Sequence, residues 1–321
     1  MTSTARTDEP SSSPGAATVA EVIAARQSAG HRDDGHRLAL VIEGGGSRGV
    51  YSSGMVQALE ELGLASIFDA VYGTSAGAIN GAWLLCGRAA TGMRSWTDPT
   101  IMRRVVDPVR ILRGRPVFDL NYLVHRVYDG IEPMDFPAIL ANPTSFHPIA
   151  TDIRTGEAVD LAPHIVDKPT LLTALRASAG LPLLAGPPVS LGGGSYFDGG
   201  LTETVPIRTA VRAGATHALV LRTRRTDELR PPASLLHRVV GGGYMRAIAP
   251  GAYRAWSQRP GQQAVEDAFL ASLDEQALQI HPPAHAPDID SAARDTTLLT
   301  QALDLGRAAV HAILGDRPLP A

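Results

Sequence analysis

The chain predicts an α/β fold in three layers, with a mostly parallel central sheet held between helices. Three observations predict it. Apolar runs too short to be helices alternate with amphipathic stretches from residue 38 to residue 222. The first two of these runs lead into glycine-rich turns, each followed by helical spacing. No internal repeat and no shift in composition divides the chain. With 321 residues, 44% hydrophobic and 19% charged, it can bury a sizeable core.

Taken in order, residues 1–35 open Ser/Thr/Pro/Ala-rich, and Asp8 and Glu9 interrupt any signal-like apolar run. A largely disordered tail is expected there, with a short helix around residues 18–27, ahead of one domain over 36–321. Leu38–Ile42 is a continuous apolar run and predicts a buried strand. Met55, Val56, Leu59 and Leu62 recur at helical spacing before Gly63, so a helix is expected over 50–62. A second strand is expected over 67–72 and a second helix from Ala76 to Cys86. Residues 88–145 predict an inserted helical region near the site, with basic residues Arg103, Arg104, Arg110, Arg113 and Arg115. Strands over 146–151 and 157–161 flank an Asp152–Gly156 turn, and a helix over 171–178 precedes a Pro/Gly-rich loop. Helix 207–213 and strand 217–222 follow, then an Arg/Pro/Gly-rich stretch over 224–264 that predicts surface loops, and a C-terminal helix over 298–314.

Several function classes are disfavoured by composition. A net charge of −3 and 5% aromatics leave no footprint for nucleic acid. No run of about 18 apolar residues predicts a transmembrane span. The single cysteine, Cys86, excludes an intrachain disulfide and reads as a core residue, so a cytoplasmic location is expected, with peripheral contact at a membrane surface allowed.

Three short motifs carry the chemistry. Gly73-Thr74-Ser75-Ala76-Gly77 lies between a predicted strand and a predicted helix, the context of a nucleophile elbow. The flanking glycines relieve crowding at the turn, and the helix N-terminus faces the reacting carbon. Glu43-Gly44-Gly45-Gly46-Ser47-Arg48-Gly49 supplies adjacent glycines whose N–H groups can converge on one oxyanion. The same loop also satisfies the dinucleotide fingerprint Gly44-x-Gly46-x-x-Gly49, but the acidic residue near the required distance, Asp69, falls at the start of the next predicted strand, whose end is taken by Gly73–Gly77. Asp198-Gly199-Gly200 is a turn signal and also a carboxylate at a strand end, suited to act as a base for the serine. A Ser…Asp…His order remains open through Ser75, Asp198 and His217 or His237.

Together these segments resemble the patatin-like phospholipase family, in particular its bacterial members. Gly44–Gly49 is similar to the family's oxyanion loop, Gly73–Gly77 to its nucleophile motif and Asp198-Gly199-Gly200 to its Asp-Gly-Gly/Ala motif. Ala150–Gly156 and Ala177-Ser178-Ala179-Gly180-Leu181-Pro182 are similar to two further family segments. The resemblance spans about 38–222. It implies a three-layer α/β/α fold and a Ser75–Asp198 dyad without histidine. It implies hydrolysis of a lipid ester with no metal or other cofactor. Leu181, Leu183, Leu184 and Val189 are candidates to line an acyl channel, and the arginines of 103–115 to meet anionic head groups.

Overall fold

The structure, a computed structural model, describes residues 17–228 and 235–315. Eight strands form one sheet: β1 (Leu38–Ile42), β2 (Ala70–Thr74), β3 (Ser145–Asp152), β4 (Ala158–Asp160), β5 (Val189–Leu191), β6 (Gly194–Asp198), β7 (His217–Leu221) and β8 (Ala277–Ile280). Their order is β5-β6-β3-β2-β1-β7-β8, with β4 paired to β3. The run β3-β2-β1-β7-β8 is parallel, and β4, β5 and β6 pair antiparallel.

The buried side chains of β1 divide between two cores by alternation. Leu38, Leu40 and Ile42 join the larger cluster, while Ala39 and Val41 face the other side. The first face is covered by α1 (Val19–Ala29), α2 (Gly49–Glu61), α3 (Ala76–Leu85) and the helix Thr296–Val310. The second face is met by the helices Ile207–Arg212 and Tyr253–Ser272. This is the three-layer α/β/α arrangement that the alternation predicts. The Thr296–Val310 helix lies directly against α2: a Cβ on Gly306 would stand 2.1 Å from the Tyr51 carbonyl oxygen. It occupies the region expected to be the C-terminal helix.

Three expectations are revised. The short helix expected around residues 18–27 is present as α1, but the rest of 17–35 is not a disordered tail. Thr18 and Glu21 form a capping box at the start of α1, and Val19, Val22 and Ile23 are buried. The rest of the anchoring is ionic: Arg26 pairs with Asp34 at 2.7 Å and Asp69 at 2.8 Å. Contacts of that kind leave no hydrophobic period. Residues 1–16 lie outside the described residues. Second, 224–264 is not mainly loop, because it includes the helix Leu235–Ile248 and the start of Tyr253–Ser272. The Gly241-Gly242-Gly243 run reads as a breaker, yet Gly241 packs where a Cβ would be 2.5 Å from the Trp256 ring. Third, β2 begins at Ala70, not residue 67, because the Asp69 side chain accepts the Leu38 N–H at 2.7 Å and ties the strand entrance there.

Residues 88–145 form the expected helical insertion, built of short pieces that Asp98, Asp107, Asp119 and Asp135 cap. No helix among the described residues is long and apolar enough to cross a membrane.

Candidate active site

The carboxyl ends of β1, β2 and β6 bring the three sequence motifs together, in the place where open α/β sheets hold their ligands. β2 ends at Thr74 and is followed by Ser75, whose φ of 57° and ψ of −124° lie in a region that a residue with a Cβ rarely occupies. Two features hold it there. The Ser178 hydroxyl accepts the Ser75 N–H at 3.0 Å and donates to the Ile149 carbonyl at 2.6 Å. On the other side α3 closes onto the end of β1 through Gly77, where a Cβ would stand 2.3 Å from the Ile42 oxygen. Gly73 faces the first turn of the same helix, with Ala78 N 2.6 Å from a Cβ placed there.

The glycine loop leaves β1 with its root fixed. Glu43 accepts from Arg222 Nε at 3.0 Å and from the Thr223 N–H at 2.7 Å. Burial alone pushes the Glu43 carboxyl up, but Arg222, Thr223 and Arg224 outweigh it and hold it below the usual glutamate range. The Gly44 N–H donates to the Thr204 carbonyl at 2.9 Å, and the Arg48 N–H to Gly45 O at 3.3 Å. The Gly49 N–H turns to Gly46 and Ser47. Of the predicted oxyanion residues, Gly44, Arg48 and Gly49 therefore use their N–H groups to shape the loop. The N–H groups of Gly45, Gly46 and Ala76 are not accepted by another described residue. Gly46 needs to be glycine twice over: its φ is 59°, and a Cβ would meet the Ser291 carbonyl oxygen at 2.4 Å. The Arg48 side chain lies along Gly45, and Gly49 abuts Ala76 and Trp96.

Sheet register brings the aspartate to the serine. Thr74, the residue before Ser75, pairs with Ile149, and the next residue of β3, Ala150, pairs with Asp198 on β6. Two strand spacings thus separate the backbones, roughly 9–10 Å. Asp198 is 2% exposed. Its Oδ1 accepts the Gly200 N–H at 2.7 Å, its own N–H donates to Gly180 O at 3.0 Å, and Thr151 Oγ1 donates to its carbonyl at 2.9 Å. Gly199 passes close to β3, where a Cβ would stand 2.4 Å from Ile149 O.

Ser75 opens onto a narrow apolar cavity of about 50 Å³, whose walls include Ile79, Trp96, Val105, Phe118, Leu123 and Leu181. The helical insertion thus roofs the serine. A second, polar cleft of about 400 Å³ adjoins it, sharing Phe118 and Leu120. Of the residues expected along an acyl channel, Leu181 lines the cavity and Val189 the cleft, whereas Leu183 and Leu184 line neither. Arg104, Arg110 and Arg115 reach the cleft, while Arg103 and Arg113 do not.

The alternatives left open by the motifs fare differently. His217 begins β7, at the opposite end of the sheet from Ser75, and bonds to Ala17 O at 2.7 Å and Thr216. It completes no triad. The side chain of His237 lies outside the described residues. Asp69 sits at the entrance of β2, bound to Arg26 and the Leu38 N–H, and is not placed for a ribose. Two features of the site are not legible in the sequence. Ser178 lies in a recognised segment without a legible role, and the Glu43–Arg222 link joins residues 179 positions apart.

The fold is of the three-layer α/β class, and it sets a serine at a strained strand-to-helix turn, beside a glycine loop and under an apolar roof. A sequence profile for the family described as "Patatin-like phospholipase" matches residues 40–211, more than half of the chain, and the chain belongs to that family. It is 35% identical over 193 residues to "Uncharacterized protein YjjU" of Escherichia coli strain K12, covering 58% of this chain and 52% of that one. It is 30% identical over 218 residues to "Uncharacterized NTE family protein Rv1063c" of Mycobacterium tuberculosis, covering 64% and 56%. It is 27% identical over 226 residues to "Lysophospholipase NTE1" of Debaryomyces hansenii, covering 63% of this chain and 13% of that protein. The chain thus spans about half the length of the first two relatives and a much smaller part of the third.

Proposed function

We propose that the chain is a serine lipid acyl hydrolase in which Ser75 attacks a carboxylic ester and Asp198 is its base. The observation that carries this reading is the register that sets Asp198 two strands from the strained Ser75, at the floor of an apolar cavity. Family membership and the lysophospholipase among the relatives support a lipid ester as the substrate.

In the first half-reaction the Ser75 hydroxyl proton passes to Asp198 as Oγ bonds to the ester carbon. The carbonyl oxygen becomes an oxyanion received by the N–H groups of Gly45, Gly46 and Ala76, the last at the positive end of α3. Collapse breaks the bond to the alcohol, which leaves with the proton from Asp198. In the second half, water gives a proton to Asp198 and attacks the acyl-serine. Release of the fatty acid returns that proton to Ser75. The chain's own residues supply nucleophile, base and oxyanion donors, so this route uses no metal. The exposed Val109, Ile111 and Leu112 beside the cleft, flanked by arginines, form the part of the surface suited to meet lipid.

The test is intact-mass analysis after treatment with a fluorophosphonate. Wild type is expected to gain one adduct, Ser75→Ala none, and Asp198→Asn is expected to react about 10²–10⁴ times more slowly, the range for loss of a general base. An unchanged adduct on Ser75→Ala would end the assignment. Asp198→Asn reacting at the wild-type rate would remove the dyad and keep the serine.

A further inference from the structure

The polar cleft beside the apolar cavity is lined by four arginines, Arg104, Arg110, Arg115 and Arg176, against one carboxylate, Asp119. That carboxylate is engaged already. Asp119 accepts the Tyr122 N–H at 2.9 Å and lies 3.6 Å from Arg110. Asp107 also neutralises Arg110, at 3.8 Å. The other three differ. Arg104 lies over the Tyr122 ring at 4.2 Å, and neither it nor Arg115 nor Arg176 has a carboxylate within ion-pair distance among the described residues.

Arg176 is the most informative of these. It stands on the helix Lys168–Ser178, two residues before the Ser178 that holds the elbow. It is half-buried, and burial alone, with no acid opposing it, pulls its guanidinium below the usual arginine range. Its charge is felt by His125, which burial first and Arg176 next hold below the usual histidine range. Asp129, the acid on that side, is paired with Lys168. A half-buried guanidinium with no acidic partner costs stability, and the cost is offset when an anion occupies the cleft.

The position of the cleft relates it to the reaction. Phe118 and Leu120 wall both spaces, and Ala179 and Leu181 face the apolar cavity while Gly180 between them faces the cleft. Gly180 O is also the acceptor for the Asp198 N–H. The arginine cleft and the apolar cavity at Ser75 are therefore adjoining spaces, side by side along the 179–181 segment.

We propose that the cleft is a phosphate subsite, in which Arg176, Arg115 and Arg104 hold a phosphate that carries no compensating ammonium, so that the substrate is an anionic phosphatidate-like or lysophosphatidate-like ester. Guanidinium groups match phosphate oxygens in geometry as well as charge. A choline group finds no unengaged carboxylate there, and a neutral glyceride leaves the arginines uncompensated. The placing of the ester at Ser75 rests on the hydrolase reading above; binding of the phosphate does not.

The experiment uses the full chain carrying Ser75→Ala, so that binding is read without turnover. Dihexanoyl phosphatidate, dihexanoyl phosphatidylcholine, dihexanoylglycerol and inorganic phosphate are titrated by calorimetry, the lipids below their aggregation concentrations. Phosphatidate is expected to bind at least tenfold tighter than each of the other three. That advantage is expected to fall at least fivefold when Arg176→Gln or Arg115→Gln is added. Equal affinity for the three lipids, or an advantage indifferent to both arginine substitutions, overturns the proposal. Inorganic phosphate binding as tightly as phosphatidate overturns the lipid assignment and leaves a free-phosphate site. The melting temperature separates a binding role from a structural one. Arg176→Gln is expected to melt at or above the wild-type temperature, and a clear loss of stability makes Arg176 a structural residue. Loss of fluorophosphonate labelling in wild type is a separate result, which sinks the hydrolase and not the phosphate site.

Discussion

The floor and the roof of the cavity are built on opposite terms. At the floor Thr74, Ser178 and Asp198 are almost wholly buried, and the backbone around them is tied across the sheet by Thr151, Glu203 and Gly180. The roof, over residues 99–131, is a chain of helical turns of three to nine residues, each held by an aspartate cap or a neighbour, with Leu112 left 83% exposed. A strained serine persists only where its surroundings over-determine it, so the proposed chemistry is assigned to the floor. Recognition of a lipid needs apolar surface and accessible cations, and a loosely braced roof can present both.

The comparison breaks most readily at the root of the glycine loop. Glu43→Gln leaves Arg222 buried without its carboxylate on that side and is expected to cost about 3–5 kcal/mol, read by urea unfolding at neutral pH. The pH dependence gives a second handle. The folded pKa of Glu43 lies below its unfolded value, so its contribution is fully present above the ordinary glutamate range and is lost as pH falls through the depressed value. The variant is expected to lack that part of the acid limb. Equal stability of variant and wild type at pH 7 would show the loop root to be as slack as the roof.

A smaller effect is expected one layer out. Ser178→Ala removes the acceptor for the Ser75 N–H and the donor to Ile149 O, both buried. The cost is about 1–3 kcal/mol. Because the lost bond holds the elbow, the rate of fluorophosphonate labelling is expected to fall about tenfold, the kinetic equivalent of 1.4 kcal/mol. Stability lost with labelling at the wild-type rate makes Ser178 a packing residue and nothing more.

The same division decides what was legible in the sequence. Strand ends, the elbow and the glycine loop were legible because their geometry demands particular residues in unbroken order: Gly46 at a positive φ, Gly77 against β1, Asp198 before a glycine turn. Partners that meet only through the fold left no such trace. Glu43 with Arg222 and Ser75 with Ser178 are side chains joined across 179 and 103 positions. The helix Leu235–Ile248 reads as loop because its triple glycine lowers helix propensity, and the closely packed Trp256 becomes visible only once the chain is folded. The arginines of 103–115 read alike in sequence, yet only three of them turn into the cleft, where Arg176 joins them from another helix.

The smallest effect on folding is expected at the edge of the roof. Leu112 stands out from the turn Pro108–Arg113 beside Ile111 and Val109, which are 57% and 51% exposed. Leu112→Ser removes no packed contact of consequence, so stability is expected to stay within about 0.5 kcal/mol. If this edge enters a lipid surface, the leucine contributes about 1.5–3 kcal/mol there that serine does not. Cosedimentation with phosphatidylglycerol vesicles is then expected to weaken about tenfold or more, and to weaken further with salt, because the flanking arginines act through screened charge. Unaltered vesicle binding with unaltered stability would move lipid contact away from residues 108–113 and leave the roof as a cover for the cavity alone.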